Sequence, residues 1–200
     1  MLAKGSQYIF CQNLEDVAEF VGLAASGHTP LPPEILIVKW LTVLRAASRY
    51  VRQFPNERLA ERAIETRDRS IRLLSHHIFR IGEAFLEVAI DGVEYWAQLA
   101  NVPPEDGTYL TGNAIAGYGN SIIERLEQWW DGLEDKSCRQ KVRTFYGEQP
   151  AHQLLERSTW HSAQHTRQIN AVLGRLAIDA DGPLTDQDYA GLPLPEGLWD

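Results

Sequence analysis

Residues 151–178, AHQLLERSTWHSAQHTRQINAVLGRLAI, decide the fold of this chain. At about 100° per residue the stretch predicts one long helix with a single inward face. That face is apolar at both ends and polar in the middle, and its members are Leu154, Ser158, His161, His165, Gln168, Val172 and Leu176. A buried polar group without a partner costs on the order of 1–3 kcal/mol, so the polar middle needs a binding partner.

The two histidines of this face indicate what that partner is. His161 and His165 lie four residues apart, so on a helix they direct two ring nitrogens toward one point, and a divalent metal is the simplest occupant. No glutamate follows His161, which excludes the H-E-x-x-H motif of zinc proteases. The alternative is a histidine pair that is hydrogen-bonded into a core or half exposed. A third histidine at a matching position favours the metal.

A second predicted helix supplies that histidine. It runs from Ser70, a plausible N-cap, to Ile90, just before the stop signal Asp91-Gly92. Its apolar stripe consists of Ile71, Leu74, Ile78, Ile81 and Phe85. His77 lies at the edge of this stripe and faces the interior, whereas His76 falls on the opposite side and is predicted to be solvated. A lone histidine at an apolar edge is more often a satisfied core residue. From the residues alone, His77 is either such a core histidine or a third ligand beside the first pair.

The rest of the main domain contains two more predicted helices and two connections. One helix covers 34–54 and ends at Pro55, and the other covers 120–133 and has an aromatic, core-facing stripe. Between the second and third helices, residues 91–120 predict a long loop because prolines and glycines punctuate it. Residues 134–149 predict an irregular or hairpin-like segment.

The two ends of the chain differ from this domain. Residues 1–26 predict an N-terminal arm, with a strand over 8–11 and a helix that Asn13 caps and Gly22 ends. The arm resembles the end of a glutaredoxin-like domain that lacks the C-x-x-C motif, and a simple packing arm is the alternative. Residues 179–200 predict an extended C-terminal tail, whose anchors are Tyr189, Leu192, Leu194 and Trp199.

Composition restricts the class of partner. The net charge of −8, without a basic stripe, argues against a nucleic-acid backbone. The two cysteines form no C-x-x-C motif, which suits a reducing cytoplasm. We expect no signal peptide, because the N-terminus lacks the apolar core of one, and no membrane span, because the sequence has no run of about 18 apolar residues. These observations favour a small-molecule substrate and a cytoplasmic location.

Two segments together resemble a known family. LLSHHIFRIGEAFL (73–86) and WHSAQHTRQINAVLGRLAI (160–178) are similar to the DinB/YfiT-like proteins, which are metal-binding four-helix bundles. The family's fourth helix carries H-x-x-x-H-x-x-Q-I, matched here by His161, His165, Gln168 and Ile169. Its second helix carries a histidine before an aliphatic residue, matched by His77. The resemblance implies an all-α four-helix bundle over 33–178.

The resemblance also implies a function. A divalent ion such as zinc or nickel is expected on His77, His161 and His165, with Gln168 and Ser158 supporting the ligands or lining a pocket. The family includes S-transferases and isomerases that use a low-molecular-weight thiol, and its members tend to form homodimers, so both are expected here. A metal-dependent hydrolase and a non-catalytic, metal-stabilised binding module are the alternatives. No catalytic carboxylate is evident in the sequence.

Overall fold

Most of the chain is helical, as the sequence predicts. The computed structural model describes residues 2–4, 7–9, 29–64, 68–145 and 147–199. Four long helices form the main body, and they are α1 (Pro33–Gln53), α2 (Ile71–Asp91), α4 (Gly112–Gly132) and α5 (Ala151–Arg175). Two single-turn helices, α3 (Ala97–Ala100) and α6 (Asp186–Tyr189), and a 3-10 turn (Asn56–Arg58) lie in the connections and the tail. None of the helices in these ranges is both long and apolar enough to cross a membrane.

The long helices pack in alternation. Both α1 and α2 pack extensively against α4 and α5. Trp40 of α1 is completely buried at the centre, where its indole N–H donates to the hydroxyl of Ser162 on α5 at 3.0 Å. That hydroxyl donates in turn to the carbonyl of Ile78 on α2 at 3.3 Å. One buried hydrogen-bonded chain therefore joins three helices and sets α2 and α5, which carry the predicted histidines, side by side.

The start and end of α2 confirm the capping signals in the sequence. The hydroxyl of Ser70 accepts from the backbone N–H of Leu73, which satisfies one of the free donors at the helix start. Gly92 ends the helix with a φ of 66°, a left-handed conformation that glycine adopts without a steric penalty. The long predicted helix is thus held at both ends by local chemistry.

The predicted start of α4 is wrong. The helix begins at Gly112 and not at residue 120, so the predicted loop over 91–120 is shorter and includes α3. The glycines that suggest a loop serve instead for close helix packing. A Cβ on Gly112 would lie 2.3 Å from the carbonyl oxygen of Val51, and one on Gly119 would lie 2.5 Å from the Phe79 ring. Sequence signals for chain breaking and for close approach are identical here, because both require a residue without Cβ.

This packing predicts that Gly112→Ala lowers the free energy of unfolding by about 2 kcal/mol, within the usual cost of overpacking. The clash is with backbone, so α1 and α4 must move apart. The matched control is Gly117→Ala on the same helix, where an added Cβ meets nothing and should stabilise by up to about 1 kcal/mol. Urea unfolding of both variants measures the difference. Equal stability of the two variants would contradict the close approach.

Two small antiparallel hairpins complete the described structure. Strands β3 (Lys141–Thr144) and β4 (Gly147–Pro150) pair within the segment for which the sequence predicts a hairpin-like structure. Strands β1 (Leu2–Lys4) and β2 (Gln7–Ile9) pair at the N-terminus, so the predicted strand over 8–11 overlaps one arm of a hairpin. The predicted helix from Asn13 to Gly22 lies outside the described residues.

The C-terminal tail lies along α1 and returns to α5. Lys39 donates to the carbonyl of Gln187 at 2.8 Å, and Arg49 donates to the carbonyls of Asp181 and Gly182. The tail is not wholly extended, because it contains α6. Of the predicted anchors, Leu192 is buried, Tyr189 and Leu194 pack partly buried against the core, and Trp199 remains 37% exposed. Backbone carbonyls therefore hold the tail as much as its apolar side chains do.

Candidate metal centre

The structure brings the three predicted histidines together. His161 and His165 lie one turn apart on α5, and His77 faces them from α2. The ring centroids are 4.8 Å apart for His161–His165, 4.9 Å for His77–His165 and 5.3 Å for His77–His161. One ring nitrogen from each lies within 4.8 Å of the other two. His77 and His165 are buried and His161 is half-buried, so the cluster opens to solvent on the His161 side.

Hydrogen bonds select the ring nitrogens that face the cluster. The Nδ1–H of His77 donates to the carbonyl of Ala100 on α3 at 2.8 Å, and the Nδ1–H of His165 donates to Oε1 of Gln168 at 2.7 Å. Both acceptors are oxygens without a proton, so Nδ1 is the protonated nitrogen in each neutral ring. The lone pair is then on Nε2, which is the usual tautomer of a metal-binding histidine with an outer hydrogen-bond partner.

Gln168 is itself held in place by the tail. Its side-chain N–H donates to the carbonyl of Leu198 at 2.8 Å, which fixes the amide nitrogen toward the tail and the amide oxygen toward His165. Gln164, one turn earlier, donates to the same carbonyl at 2.7 Å. The end of the chain is therefore linked to a candidate metal ligand through a single amide.

The donor set fits a divalent ion such as zinc or nickel. Three neutral imidazoles are typical ligands for both metals. In a tetrahedral zinc site with zinc–nitrogen distances of 2.0–2.1 Å, two ligand nitrogens are about 3.4 Å apart. The nitrogens here lie within 4.8 Å of one another, so closing around an ion requires shifts of less than about 1 Å, within reach of small side-chain rotations.

Burial keeps the imidazoles of His77 and His161 neutral. The pKa of His77 is lowered to about 2, mainly by removal from water and also by the neighbouring His165, whereas the hydrogen bond to Ala100 opposes the shift. Removal from water also lowers the pKa of His161 well below 6.5, and the neighbouring His165 and His77 lower it further. At neutral pH both rings therefore present lone pairs and not protons, as a metal requires.

Gln168 and Ser158, the other two predicted site residues, have different positions. Gln168 contacts His165 directly. Ser158 is buried on the same face of α5, but no hydrogen bond of the described residues joins it to a histidine. His152 lies away from the cluster, as its position on the helix predicts, with its Nε2 2.7 Å from the carbonyl of Leu31.

The prediction that His76 is solvated is wrong. His76 is 6% exposed, and its ring stacks on Tyr118 with centroids 5.0 Å apart and planes 11° apart. The ring centroid of Tyr109 also lies 5.3 Å from that of His76. Burial lowers the pKa of His76 to about 4, although Glu83 opposes the shift. The helical wheel places His76 away from the core, but the segment before α4 folds over that side and covers it.

Sequence reasoning missed the two backbone carbonyls that support the centre. Ala100 and Leu198 contribute only main-chain oxygens, and a backbone acceptor leaves no signature in residue type or spacing. Only the fold reveals that α3 and the tail end beside the histidines.

Comparison of the chain with protein-family models, with curated proteins and with solved structures finds no match. The interpretation of the histidine cluster therefore rests on its geometry and on the sequence resemblance.

Proposed function

We propose that this chain is a divalent-metal-dependent enzyme of the DinB-like type, built as a four-helix bundle around His77, His161 and His165. The observation that carries the proposal is the convergence of three imidazole nitrogens within 4.8 Å from two helices. The alternating contacts of the four long helices support the bundle. A bound ion at this place would act as a Lewis acid and lower the pKa of a coordinated water or thiol toward neutrality.

The chain's own residues would hold and orient the ion. Ala100 and Gln168 fix the rings of His77 and His165 through Nδ1, which leaves the third ring, His161, on the more open side. Three neutral ligands leave the full positive charge of the ion in place, which favours a thiolate or hydroxide as the attacking group. Thiol S-transfer or isomerisation with a low-molecular-weight thiol is the chemistry we favour, and hydrolysis is the second.

The test of this proposal has two steps. Metal analysis of the purified protein is expected to give one zinc or nickel ion per chain. Consumption of a small thiol in the presence of an electrophile, such as an epoxide or a haloalkane, is then expected to depend on that metal and to be lost in His161→Ala. Turnover unchanged by removal of the metal would reject the enzymatic proposal.

A non-catalytic, metal-stabilised module is the alternative, and the burial of two of the histidines favours it. His77 is 5% and His165 7% exposed, so a substrate can approach only past His161. Under this alternative the protein binds metal stoichiometrically and consumes no thiol with any electrophile. The same two measurements therefore separate the enzyme from the module.

The outer hydrogen bonds of the centre predict a graded loss of metal affinity. Gln168→Leu removes the acceptor of the His165 Nδ1–H, and loss of such a partner typically weakens metal binding about 10–100-fold. Gln164→Leu is the matched control, because Gln164 also binds Leu198 but, among the described residues, makes no hydrogen bond to a histidine. Competition with a zinc indicator measures both affinities. A similar loss in the two variants would show that the tail, and not the orientation of His165, controls affinity.

A further inference from the structure

A second candidate site lies on the other side of α2. It is a cavity of about 470 Å³ between α2, the start of α4 and the 102–109 segment. His76 lines this cavity, whereas the adjacent His77 faces the histidine cluster. The cavity shares no lining residue with that cluster, so it is argued from its own contacts. Its volume suits a small organic molecule.

One wall of the cavity is aromatic and contains a buried polar ring. His76 lies against Tyr118 and Tyr109, and all three side chains line the cavity. Only 6% of the surface of His76 is exposed. Among the described residues, no hydrogen bond joins either of its ring nitrogens to the protein. Buried polar groups normally have a partner. A ring that faces a cavity without one indicates that its partner is a ligand or solvent inside it.

The charged groups of the cavity are mostly acceptors. Three carboxylates line it, from Glu83, Glu87 and Glu105, against one guanidinium, from Arg80. Arg80 binds Glu87 through both terminal nitrogens at 2.7 and 3.0 Å and binds Glu83 at 2.9 Å. Its Nε is buried, and three of its terminal N–H groups are engaged by the two glutamates, so Arg80 offers little to an anion. Glu83 and Glu87 keep 30% and 26% of their side chains exposed.

The neighbouring cations are occupied as well. Arg125 lies 3.5 Å from Glu83, and Arg72 donates to the carbonyl of Thr108 at 3.0 Å. The hydroxyl of Tyr118 donates to Glu83 at 2.7 Å. Glu105 is exposed, and no ion pair of the described residues neutralises it. The cavity thus combines aromatic faces with three carboxylates against one guanidinium that is already paired with two of them, which is an arrangement that favours ammonium groups.

We infer that this cavity binds a small organic cation, an amine or guanidine on a short flat or apolar body. The body packs on the rings of Tyr109 and Tyr118 and on Val102 and Pro103, which also line the cavity. The cationic group is directed to the carboxylates. This site is independent of metal binding at the three histidines.

Three probes of one shape and different charge test the inference. Benzylamine, benzyl alcohol and benzoate are titrated by calorimetry into protein stripped of metal by a chelator, because an amine could also coordinate metal. Benzylamine is expected to bind saturably in the millimolar range, up to about 20 mM, and more tightly than either of the others. Benzoate binding as tightly as benzylamine, or no saturable benzylamine binding, would overturn the inference.

Matched variants place the binding in this cavity. Glu105→Gln removes a lining carboxylate that forms no ion pair or side-chain hydrogen bond with the Arg80 network among the described residues, and it should weaken benzylamine binding at least about 3-fold. Glu124→Gln removes an exposed carboxylate of α4 that does not line the cavity and should leave affinity unchanged. His161→Ala should also leave it unchanged. An equal loss in Glu105→Gln and Glu124→Gln would show non-specific attraction to an acidic protein and would overturn the site.

Discussion

Protein stripped of metal is expected to gain about 4 kcal/mol in its free energy of unfolding at pH 7.5 when free Zn²⁺ is about 1,000 times its dissociation constant. The three imidazoles converge only in the folded chain, so the metal binds the native state far better than the unfolded one. Thermal unfolding with and without Zn²⁺ or Ni²⁺ measures the effect. If stripped and loaded protein melt together at pH 7.5, the three-histidine site is wrong, and the proposed function fails with it.

The pH dependence of this stabilisation follows from burial. Histidines with an unperturbed pKa near 6.5 would lose the metal on acidification through about pH 6. In the folded protein, however, burial lowers the pKa of His77 to about 2 and that of His161 well below 6.5. Both rings therefore stay neutral at pH 5.5, and protons do not displace the metal from these two ligands there. We expect the difference between loaded and stripped protein to persist at pH 5.5.

The stripped protein itself should lose stability over the same range. A histidine whose pKa is lower in the folded state than in the unfolded chain is protonated first in the unfolded chain, so the free energy of unfolding falls as the pH drops below 6.5. The loss is about 1.4 kcal/mol per pH unit for each such histidine until its folded-state pKa is reached. His76, with a pKa of about 4, contributes to this loss of stability down to about pH 4, and His77 continues to contribute at lower pH. Urea unfolding at pH 7.5, 6.5 and 5.5 measures this slope, and a flat profile would contradict the burial of these rings.

The second large effect is a loss of zinc affinity that is expected when His77 is replaced but not when the adjacent His76 is replaced. His77→Ala removes one of three ligands and should lower zinc affinity by more than about 100-fold, because loss of an outer-shell partner alone typically costs 10–100-fold. His76→Ala should leave zinc affinity almost unchanged, since its ring lines the cavity beside Tyr118 and not the cluster. Zinc competition and metal analysis of both variants measure the difference.

Stability provides the internal control for this pair. His76 is buried against two tyrosine rings, so His76→Ala should destabilise the fold although it retains the metal. His77→Ala leaves the Ala100 carbonyl without its donor and should also destabilise the stripped protein. Both variants are thus weakened, and only one loses metal binding. Equal metal retention in the two would refute the assignment of His77.

Periodicity alone predicted most of the elements of the fold. The inward face of α5, with histidines at 161 and 165, and the stripe of α2, with His77 at its edge, are local properties that a helical wheel reads directly. The cap at Ser70 and the stop at Gly92 are local as well, because they depend on one side chain and one backbone conformation. These faces and the family resemblance together predict the convergence of the three histidines.

The tertiary structure decided what surrounds those faces. Gly112 and Gly119 read as loop signals, but contact with Val51 and Phe79 on neighbouring helices makes them packing residues. His76 reads as solvated, but Tyr109 and Tyr118 cover it. In each case the deciding neighbour is distant in the chain, and its effect is absent from any local pattern.

The same distinction between local pattern and distant neighbour applies to the three histidines and to the backbone carbonyls that support them. The ligands belong to regular helices, so their positions follow from spacing along the chain. The carbonyls of Ala100 and Leu198, which orient His77 and Gln168, are main-chain atoms that every residue has. Their place beside the cluster depends on where a connection and a tail end in space. The sequence by itself therefore determined which residues form the candidate centre, and only the tertiary structure decided how their rings are oriented and how far they are removed from water.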